Sequence, residues 1–210
     1  MVAIAALAIQ CGVPLSATVL AAIVEVESGG SPNALAVNGG VELVRQPRDK
    51  HEAALMALWL ERHGYNFDAG LAQVNSANFA RLGLTVANVF DPCTNLRAAA
   101  RVFEECQERA RARWGEGGRS LSAGLSCYNT GDLTRGESNG YVDRVRARIG
   151  PWKIASRKSP SRANSSAAGT VSGLSRRNIA RAGTIALEND DVFGQQLADA
   201  FGSNPGRAGQ

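Results

Sequence analysis

Two glutamates, Glu25 and Glu27, stand at the end of the apolar run in IVEVESGGSP, which stops at two glycines. On a helix, positions 25 and 27 lie about 200° apart, so the two side chains cannot form a catalytic pair. Glu27 shares the stripe of Leu20 and Val24, which directs it towards the core. Partial burial and the negative end of the helix dipole both raise the pKa of its carboxyl group. A carboxyl group still protonated near neutral pH can act as a general acid.

Taken by itself, the same stretch also fits a structural glutamate that accepts hydrogen bonds from the glycine loop. The helix that would carry Glu27 is predicted over residues 16–28, with Ser16 as its N-cap and Gly29 in the left-handed position that ends it. The apolar start MVAIAALAIQ is predicted to form the first helix of the domain. Periodicity and capping residues predict further helices over residues 49–63, 76–83, 92–113, 120–129 and 139–149.

Strand signals are few and weak. VELVRQP, residues 41–47, alternates in polarity after the turn at 38–40, which predicts a short strand or hairpin arm. Residues 64–75 are predicted to be a loop. In helix 49–63 the predicted inner side consists of Ala54, Leu55, Leu58 and Trp59. The predicted fold class is therefore mainly α, of the α+β kind, with a small β-hairpin.

Composition predicts one domain followed by an extension. The 210 residues, 44% of them apolar, can bury one sizeable core, which we assign to residues 1–150. Residues 151–210 are rich in Ser, Arg and Gly and poor in large apolar residues, so this tail is predicted to be mostly disordered, with one short amphipathic helix at DDVFGQQLADAF. The net charge of +4 comes from the tail, since residues 1–150 carry 15 Lys/Arg against 15 Asp/Glu.

The arginines of the tail are scattered among small residues, so we expect no nucleic-acid binding. No apolar run approaches the roughly 18 residues that a membrane span requires. Ala6, Leu7 and Ala8 resemble a signal cleavage site, yet no basic residues precede them, and an export signal is not evident.

The four cysteines lack the close spacing of a zinc site, and neither a metal nor a cofactor is expected. If helices 92–113 and 120–129 form an antiparallel hairpin, Cys106 and Cys127 lie side by side and can form a disulfide. A pairing of Cys11 with Cys93 then follows only by elimination. Four buried thiols in a reducing compartment remain the alternative at this point. Disulfides would indicate an oxidising compartment such as the periplasm.

Four motifs in order resemble those of lytic transglycosylases of the lysozyme-like superfamily, in particular the small VirB-type peptidoglycan-cleaving subunits of type IV secretion and conjugation systems. The resemblance runs from about residue 7 to 149. The motifs are Glu27-Ser28 in VEVESGG, Gly70-Leu71 with Gln73 in DAGLAQVNS, the helix start DPCTNLR at residues 91–97, and Tyr128-Asn129 in GLSCYNTG. Gly124 stands where the family has a small apolar residue, which is expected to weaken that helix by about 0.5–1 kcal/mol.

The resemblance implies a lysozyme-like fold and a role for each matched residue. Glu27 would be the catalytic acid and base, and the segment from Gly70 to Asn75, with Leu71 and Gln73, would line a sugar cleft next to Ser28. Gly70 would let a glycan approach the backbone, and Gln73 would both donate and accept hydrogen bonds. Tyr128 would either donate a hydrogen bond to Glu27 or form a wall beside it, and Asn129 would contact an N-acetyl group or hold the loop. Tyr141 fits a cleft wall and core packing equally well.

The implied reaction cuts the MurNAc-β-1,4-GlcNAc bond of peptidoglycan with formation of a 1,6-anhydro end, in the periplasm. Glycan strands would be the substrate, and other subunits of a type IV secretion apparatus would bind through the tail. A lysozyme-type hydrolase with Asp68 as second carboxylate is one alternative. A non-catalytic glycan-binding assembly subunit is another, although an intact Glu27 argues against it.

Overall fold

The computed structural model describes residues 2–40 and 42–149, and the fold is mainly helical with a small antiparallel sheet. The predicted tail at 151–210, with its short helix, lies outside the described residues. The elements are, in chain order, α1 (Val2–Gln10), α2 (Ala17–Glu27), β1 (Leu35–Val37), α3 (Lys50–Arg62), β2 (Phe67–Ala69), β3 (Val74–Asn75), a 3-10 turn (Ser76–Asn78), α4 (Phe79–Leu82), α5 (Pro92–Trp114), α6 (Gly118–Thr130), α7 (Arg135–Ser138) and α8 (Tyr141–Ile149).

The helices predicted for the domain are all present, and α7 is an additional single turn. Asp49 and Asp91 cap α3 and α5 because their carboxylates accept the backbone N–H groups three residues further on, at 2.9 Å in each case. Ser16 occupies the N-cap position of α2, but its side chain makes no capping hydrogen bond. Gly29 is left-handed with φ of 61°, as predicted for the end of α2.

The β-structure differs from the prediction. The predicted strand at 41–47 is wrong over its described residues 42–47, which form an irregular segment, and the predicted loop at 64–75 instead contains β2 and β3. One side chain of the segment pairs with the sheet. The Gln46 amide accepts from the backbone N–H of Leu35 at 2.9 Å and donates to its carbonyl at 2.8 Å. The Gln46 side chain thereby satisfies the backbone N–H and carbonyl of Leu35 on the edge strand β1. The next residue, Pro47, has no backbone N–H that could pair with the strand.

The inner face of α3 also differs from the prediction. Its buried residues are Glu52, Ala53, Met56, Ala57 and Leu60, whereas the four predicted inner residues, at 54, 55, 58 and 59, are half-buried. The predicted face and the buried face of α3 both carry apolar residues, so the sequence pattern did not distinguish them. Packing against the rest of the core buried the neighbouring face, about one residue away from the predicted one. Glu52 is buried here because its carboxylate accepts two hydrogen bonds from Arg45, at 2.6 and 3.0 Å.

Helix α2 lies at the centre of the core, with Leu20, Ile23 and Val24 fully buried. It packs on α1 at one side and on α8 at the other. Helices α5 and α6 pack together along most of their length. Gly124 of α6 gives room to the Gln107 side chain of α5, which a Cβ at position 124 would meet. Packing of the Gln107 side chain against α6 therefore explains why a glycine stands at position 124.

Two disulfides join these elements, in the pairs that the sequence suggested. Cys11 bonds Cys93 and ties the end of α1 to the start of α5, with the two Cα atoms 5.2 Å apart. Cys106 bonds Cys127 across the α5–α6 hairpin, with a Cα–Cα distance of 5.5 Å. None of the helices in the described part of the chain is long and apolar enough to cross a membrane.

Candidate active site

Glu27 is the last residue of α2, and the chain turns away directly behind it. The Ser28 hydroxyl donates to the carbonyl of Leu71 at 2.6 Å and accepts from the backbone N–H of Gly30 at 3.2 Å. The end of α2 is thereby tied to the loop between β2 and β3. The Ser28 hydroxyl therefore links two backbone segments through hydrogen bonds, and these bonds use both its donor and an acceptor position.

The carboxyl group of Glu27 is held by Tyr141, the first residue of α8. The Tyr141 hydroxyl donates to Glu27 Oε1 at 2.6 Å, across 114 positions of sequence. Tyr141 is 1% exposed and also packs in the core with Val142 and Val145. Of the two interpretations offered for Tyr141, core packing describes the ring, and its hydroxyl in addition orients the carboxyl group of Glu27.

The environment of Glu27 favours its protonated form. Burial raises the pKa of Glu27 to about 7, and it does so against the hydrogen bond from Tyr141, which lowers it. The negative charge of Asp68 raises the pKa further, and the guanidinium of Arg144 lowers it. Burial also raises the pKa of Tyr141 far above its ordinary value, so the phenol remains a neutral donor. Glu27 can therefore give and take a proton near neutral pH.

Asp68 lies on the middle strand of the sheet, opposite Asn75 of β3. Its neighbours Phe67 and Ala69 are fully buried, and strand alternation turns Asp68 to the other face, into the cleft. Asn38 donates to Asp68 Oδ2 at 2.9 Å and Asn75 donates to Oδ1 at 2.7 Å. Burial raises the pKa of Asp68, while these two hydrogen bonds lower it.

Asn66 completes this polar network. Its side chain exchanges hydrogen bonds with Asn75, at 2.8 and 2.9 Å, and accepts one from Asn38 at 2.8 Å. The outer face of the sheet is thus a ladder of amide groups around one carboxylate. The NH₂ groups of Asn38, Asn66 and Asn75 already donate within this network, so the network is held together internally and meets a sugar with oxygen acceptors.

Gly70 follows β2 and is required for a reason other than the predicted one. Its φ is 80°, and a Cβ at this position would overlap the side chain of Asn95, with Asn95 Cγ at 2.8 Å. Asn95 is 1% exposed, accepts from the N–H of Ala72 and donates to the carbonyls of Ala69 and Val89, each at 2.9 Å. Gly70 therefore makes room for the asparagine of α5 that shapes the loop, and the predicted approach of a glycan to its backbone stays a prediction.

We predict that Gly70→Ala destabilises the protein by on the order of 3 kcal/mol. A left-handed backbone costs a residue with a Cβ about 1–2 kcal/mol, and displacement of Asn95 adds unsatisfied buried carbonyls. The measurement is the urea midpoint. Gly29→Ala is the matched control, since Gly29 has φ of 61° and a Cβ added there would meet no atom within 4 Å, so only the backbone cost remains. Equal losses in the two variants would contradict the role of Asn95.

Gln73 lies in the same loop with φ of 48°, a left-handed conformation that is uncommon for a residue other than glycine. Its side-chain NH₂ donates to the carbonyls of Ala34 and Gly70, both at 3.0 Å. Because both N–H groups are used within the protein, Gln73 presents its oxygen to the cleft as an acceptor. The predicted contact of Gln73 with a sugar stays a prediction, and in this geometry it would be made through the side-chain oxygen.

Tyr128 and Asn129, at the end of α6, form another part of the cleft wall. The Tyr128 hydroxyl donates to the carbonyl of Ala72 at 2.7 Å, so it fixes the loop and does not bond to Glu27. Burial, with a contribution from the charge of Glu27, raises the pKa of Tyr128 well above its ordinary value. Asn129 Oδ1 accepts from Asn139 at 2.8 Å, and Asn139 in turn accepts the backbone N–H of Tyr141. Asn129 thereby connects the cleft to the start of α8.

The cleft between these walls has a volume of about 500 Å³. Of the predicted site residues, it is lined by Glu27, Gln73, Asn75, Tyr128 and Asn129. Four others stand behind it: Ser28 and Tyr141 hold the end of α2 and the carboxyl group of Glu27, and Gly70 and Leu71 are buried in the loop. The Cys106–Cys127 disulfide also lines the cleft.

Sequence reasoning missed several cleft residues. Asn38, Asn66 and Asn78 line the cleft, as do Arg81 and Arg109. Arg81 is paired with Glu105, both Oε atoms lying 2.7 Å from its Nη1. The signal available in the sequence was the number of asparagines near the predicted turns, but their separation along the chain hid the network. No group of three His, Cys, Asp or Glu within residues 2–40 and 42–149 is placed to hold a metal ion.

A helical domain with a small sheet beside a polar cleft, and a buried carboxyl group of raised pKa at the end of its central helix, defines a lysozyme-like domain. The chain belongs to the family described as "Transglycosylase SLT domain", whose match covers residues 7–148.

Similar proteins include two that carry the name virB1. The chain is 42% identical over 153 residues to the type IV secretion system protein virB1 of Brucella abortus biovar 1, across 70% of this chain and 64% of the relative. It is 35% identical over 136 residues to the protein virB1 of Agrobacterium fabrum, across 65% of this chain and 55% of the relative. The chain therefore spans less than two thirds of the length of these relatives. No solved structure matches it.

Proposed function

We propose that this protein is a peptidoglycan lytic transglycosylase that cuts the MurNAc-β-1,4-GlcNAc bond and leaves a 1,6-anhydro-MurNAc end. The observation that carries the proposal is the carboxyl group of Glu27, which has a pKa of about 7 and opens into a polar cleft. A single acid with this pKa can serve in both halves of a reaction that needs a proton donor first and a base afterwards. Family membership supports the reaction type.

In the first half, protonated Glu27 gives its proton to the bridging oxygen as the bond between C1 of MurNAc and that oxygen breaks. The N-acetyl group of the same sugar stabilises the positive charge that develops at C1. In the second half, the Glu27 carboxylate takes the proton of the C6 hydroxyl, and O6 forms the new bond to C1. The carboxyl group ends protonated, and no water is consumed.

The surrounding residues would bind and orient the glycan. Tyr141 aims the carboxyl group of Glu27, and the oxygen of Gln73 offers an acceptor to a sugar hydroxyl or N-acetyl N–H. The asparagine network, with Asn75, also lines the cleft and would present oxygen acceptors to the glycan. Asn129 has an unshared side-chain NH₂ within the described structure, since only its oxygen bonds Asn139. Tyr128 would contribute an aromatic ring to the wall of the cleft.

A lysozyme-type hydrolase is the second candidate, because Asp68 shares the cleft with Glu27. In that reaction a second carboxylate acts as nucleophile or as base for water. Each oxygen of Asp68 already accepts an asparagine hydrogen bond, which favours a role in holding the sheet. A non-catalytic glycan-binding subunit would have no need of a carboxyl group with so strongly raised a pKa.

Mass spectrometry of the fragments released from purified peptidoglycan separates the three candidates. A transglycosylase releases ends one water lighter than the hydrolysed sugar, and Asp68→Asn retains this product. Ordinary reducing ends that disappear in Asp68→Asn would make the protein a lysozyme. Binding to the glycan without any release would favour the non-catalytic subunit.

We predict that two substitutions shift the pH profile in opposite directions. Because the acid must begin protonated, activity should fall as pH rises through about 7, the pKa of Glu27. Tyr141→Phe removes a hydrogen bond that stabilises the carboxylate, so it raises that pKa and moves the fall to higher pH. Asp68→Asn removes a like charge and moves the fall to lower pH. The measurement is kcat/KM against pH on soluble glycan strands, and shifts in the same direction would contradict the assignment.

The proposed setting is the periplasm, where the enzyme would open the cell wall locally for a type IV secretion or conjugation apparatus. Two disulfides fit an oxidising compartment, and peptidoglycan is found there. Relatives named as type IV secretion system proteins support the link to such an apparatus. Other subunits are proposed partners, bound through residues 151–210.

A further inference from the structure

A second cavity lies on the side of α5 that faces away from the cleft. Its volume is about 450 Å³, and apolar side chains line it, among them Leu15, Val19, Phe103 and Leu121. The α5 residues that line the active cleft are at positions 102, 105, 106 and 109, and those that line this groove are at 103, 104, 107, 108 and 111. At 3.6 residues per turn the two sets point in opposite directions. The groove is therefore separate from the proposed catalytic site.

The rim of the groove is acidic. Glu104 and Glu108 stand one helical turn apart on α5, and within residues 2–40 and 42–149 neither forms an ion pair. Like charges four positions apart on a helix repel each other. A third rim carboxylate, Glu116, is compensated by Arg111 at 3.0 Å. An apolar groove with two uncompensated carboxylates fits an occupant that carries apolar side chains and positive charges together.

The described part of the chain ends close to this groove. Ile149, the last residue of α8, packs against the apolar cluster that contains Val19 and Phe103, both of which line the groove. The next residues read Pro-Trp-Lys-Ile-Ala-Ser-Arg-Lys, positions 151–158, with three cations and no carboxylate. Three extended residues span about 10 Å, so Trp152 is within reach of the groove from Ile149.

We propose that residues 151–158 dock in this groove, with Trp152 and Ile154 against its apolar lining and the basic residues against Glu104 and Glu108. A buried tryptophan removes roughly 150–250 Å² from water, which makes it the natural anchor of the segment. The docked segment fixes the point at which the rest of the tail leaves the domain, on the side opposite the cleft. The tail can then reach a partner while the cleft stays open to glycan.

Limited trypsin digestion of the full chain, followed by mass spectrometry, tests the proposal. Lys153 and Arg157 lie in the segment, and Arg176 lies further along the tail as an internal control. Docking should slow cleavage after Lys153 and Arg157 by about tenfold relative to Arg176, because cleavage requires local opening. The protection should be lost in Trp152→Ala, which alters the tail alone and leaves the domain intact.

A double variant, Glu104→Gln with Glu108→Gln, tests the groove side. It should also lose protection, while Glu61→Gln, at an exposed glutamate of α3, should retain it. Thermal melts of each variant verify that the domain is folded. Equal cleavage at Lys153, Arg157 and Arg176 in the unaltered protein would overturn the proposal and leave the groove to another occupant. Protection that survives both Trp152→Ala and the double variant would overturn it as well.

Discussion

Glu27→Gln should abolish release of anhydro-sugar fragments while it increases the stability of the protein. Gln keeps the shape and the hydrogen bond from Tyr141 but has no proton to give and cannot take one. General acid–base catalysis contributes typically 10²–10⁴-fold, and here one group serves in both halves of the reaction, so we expect a loss of at least about 10³-fold. The measurement is the initial rate of fragment release, followed by mass spectrometry.

The accompanying stability change has a definite sign. The pKa of Glu27 in the folded state, about 7, lies above the ordinary value of 4.5, so the folded protein binds the proton more tightly than the unfolded chain. Stability is therefore lost as pH rises from about 4.5 through about 7, and above that range the buried carboxylate carries its full cost. At pH 8 Glu27→Gln should be more stable than the unaltered protein by on the order of 1–3 kcal/mol. The difference should vanish at pH 4.

Glu25→Gln is the matched control for both measurements. It is the same substitution on the same helix, two positions away and directed about 200° from Glu27. It should leave activity and its pH dependence unchanged. A loss of activity in Glu27→Gln together with a loss of stability at pH 8 would indicate a misfolded variant and would sink the interpretation of Glu27 as a buried acid.

Removal of the Cys11–Cys93 disulfide should cost more stability than removal of Cys106–Cys127. The first closes a loop with a sequence separation of 82 residues and the second one of 21. Chain-entropy arithmetic gives about 4.5 kcal/mol for the longer loop and about 3.3 kcal/mol for the shorter one. Since a domain is stable by only about 5–15 kcal/mol, loss of the first disulfide should bring the protein close to unfolding at 37 °C.

Urea denaturation of two paired variants, Cys11→Ala with Cys93→Ala and Cys106→Ala with Cys127→Ala, measures these costs. Fully reduced protein is the control and should be less stable than either variant. The second pair lines the cleft beside Tyr128, so its removal should also lower activity, whereas the first pair should change stability alone. A larger stability loss from the second pair would contradict the dominance of loop closure.

The prediction of the helices from the sequence succeeded for local reasons. Asp49 and Asp91 bond the N–H groups three residues ahead, and Gly29 takes a left-handed conformation that a residue with a Cβ avoids. The antiparallel α5–α6 hairpin follows from two amphipathic helices joined by a short glycine turn. Because Cys106 and Cys127 lie at similar distances from that turn, the hairpin alone brings them side by side.

The strands were mispredicted because their pairing is not local. Each strand is two or three residues long, and β1 is separated from its partner β2 by α3. Such short segments have too little alternation to be recognised, and they are stable here only because neighbouring strands supply their hydrogen bonds. VELVRQP has the stronger pattern, yet it contributes a single glutamine side chain to the edge.

The sequence by itself singled out Glu27 as the candidate acid. Helical phase separates Glu25 from Glu27 and turns the latter inward, and burial at the end of α2 accounts for its raised pKa. It also determined which loop and which helix end face that acid, through motifs whose order matches the family. Periodicity is enough to reveal the direction of Glu27, because it depends on residues of one helix, whereas the loop at 70–75 and the helix end at 128–129 were indicated only by the resemblance of their motifs to the family.

Only the tertiary structure decided what each partner does. It assigned Tyr141 to the carboxyl group of Glu27 and Tyr128 to the carbonyl of Ala72, two roles that the sequence had left open or reversed. It showed that Gly70 makes room for Asn95. The physical reason is that a hydrogen bond requires its two atoms to lie within about 3 Å. Residues separated by up to 114 positions meet that condition only after the helices and the sheet have packed.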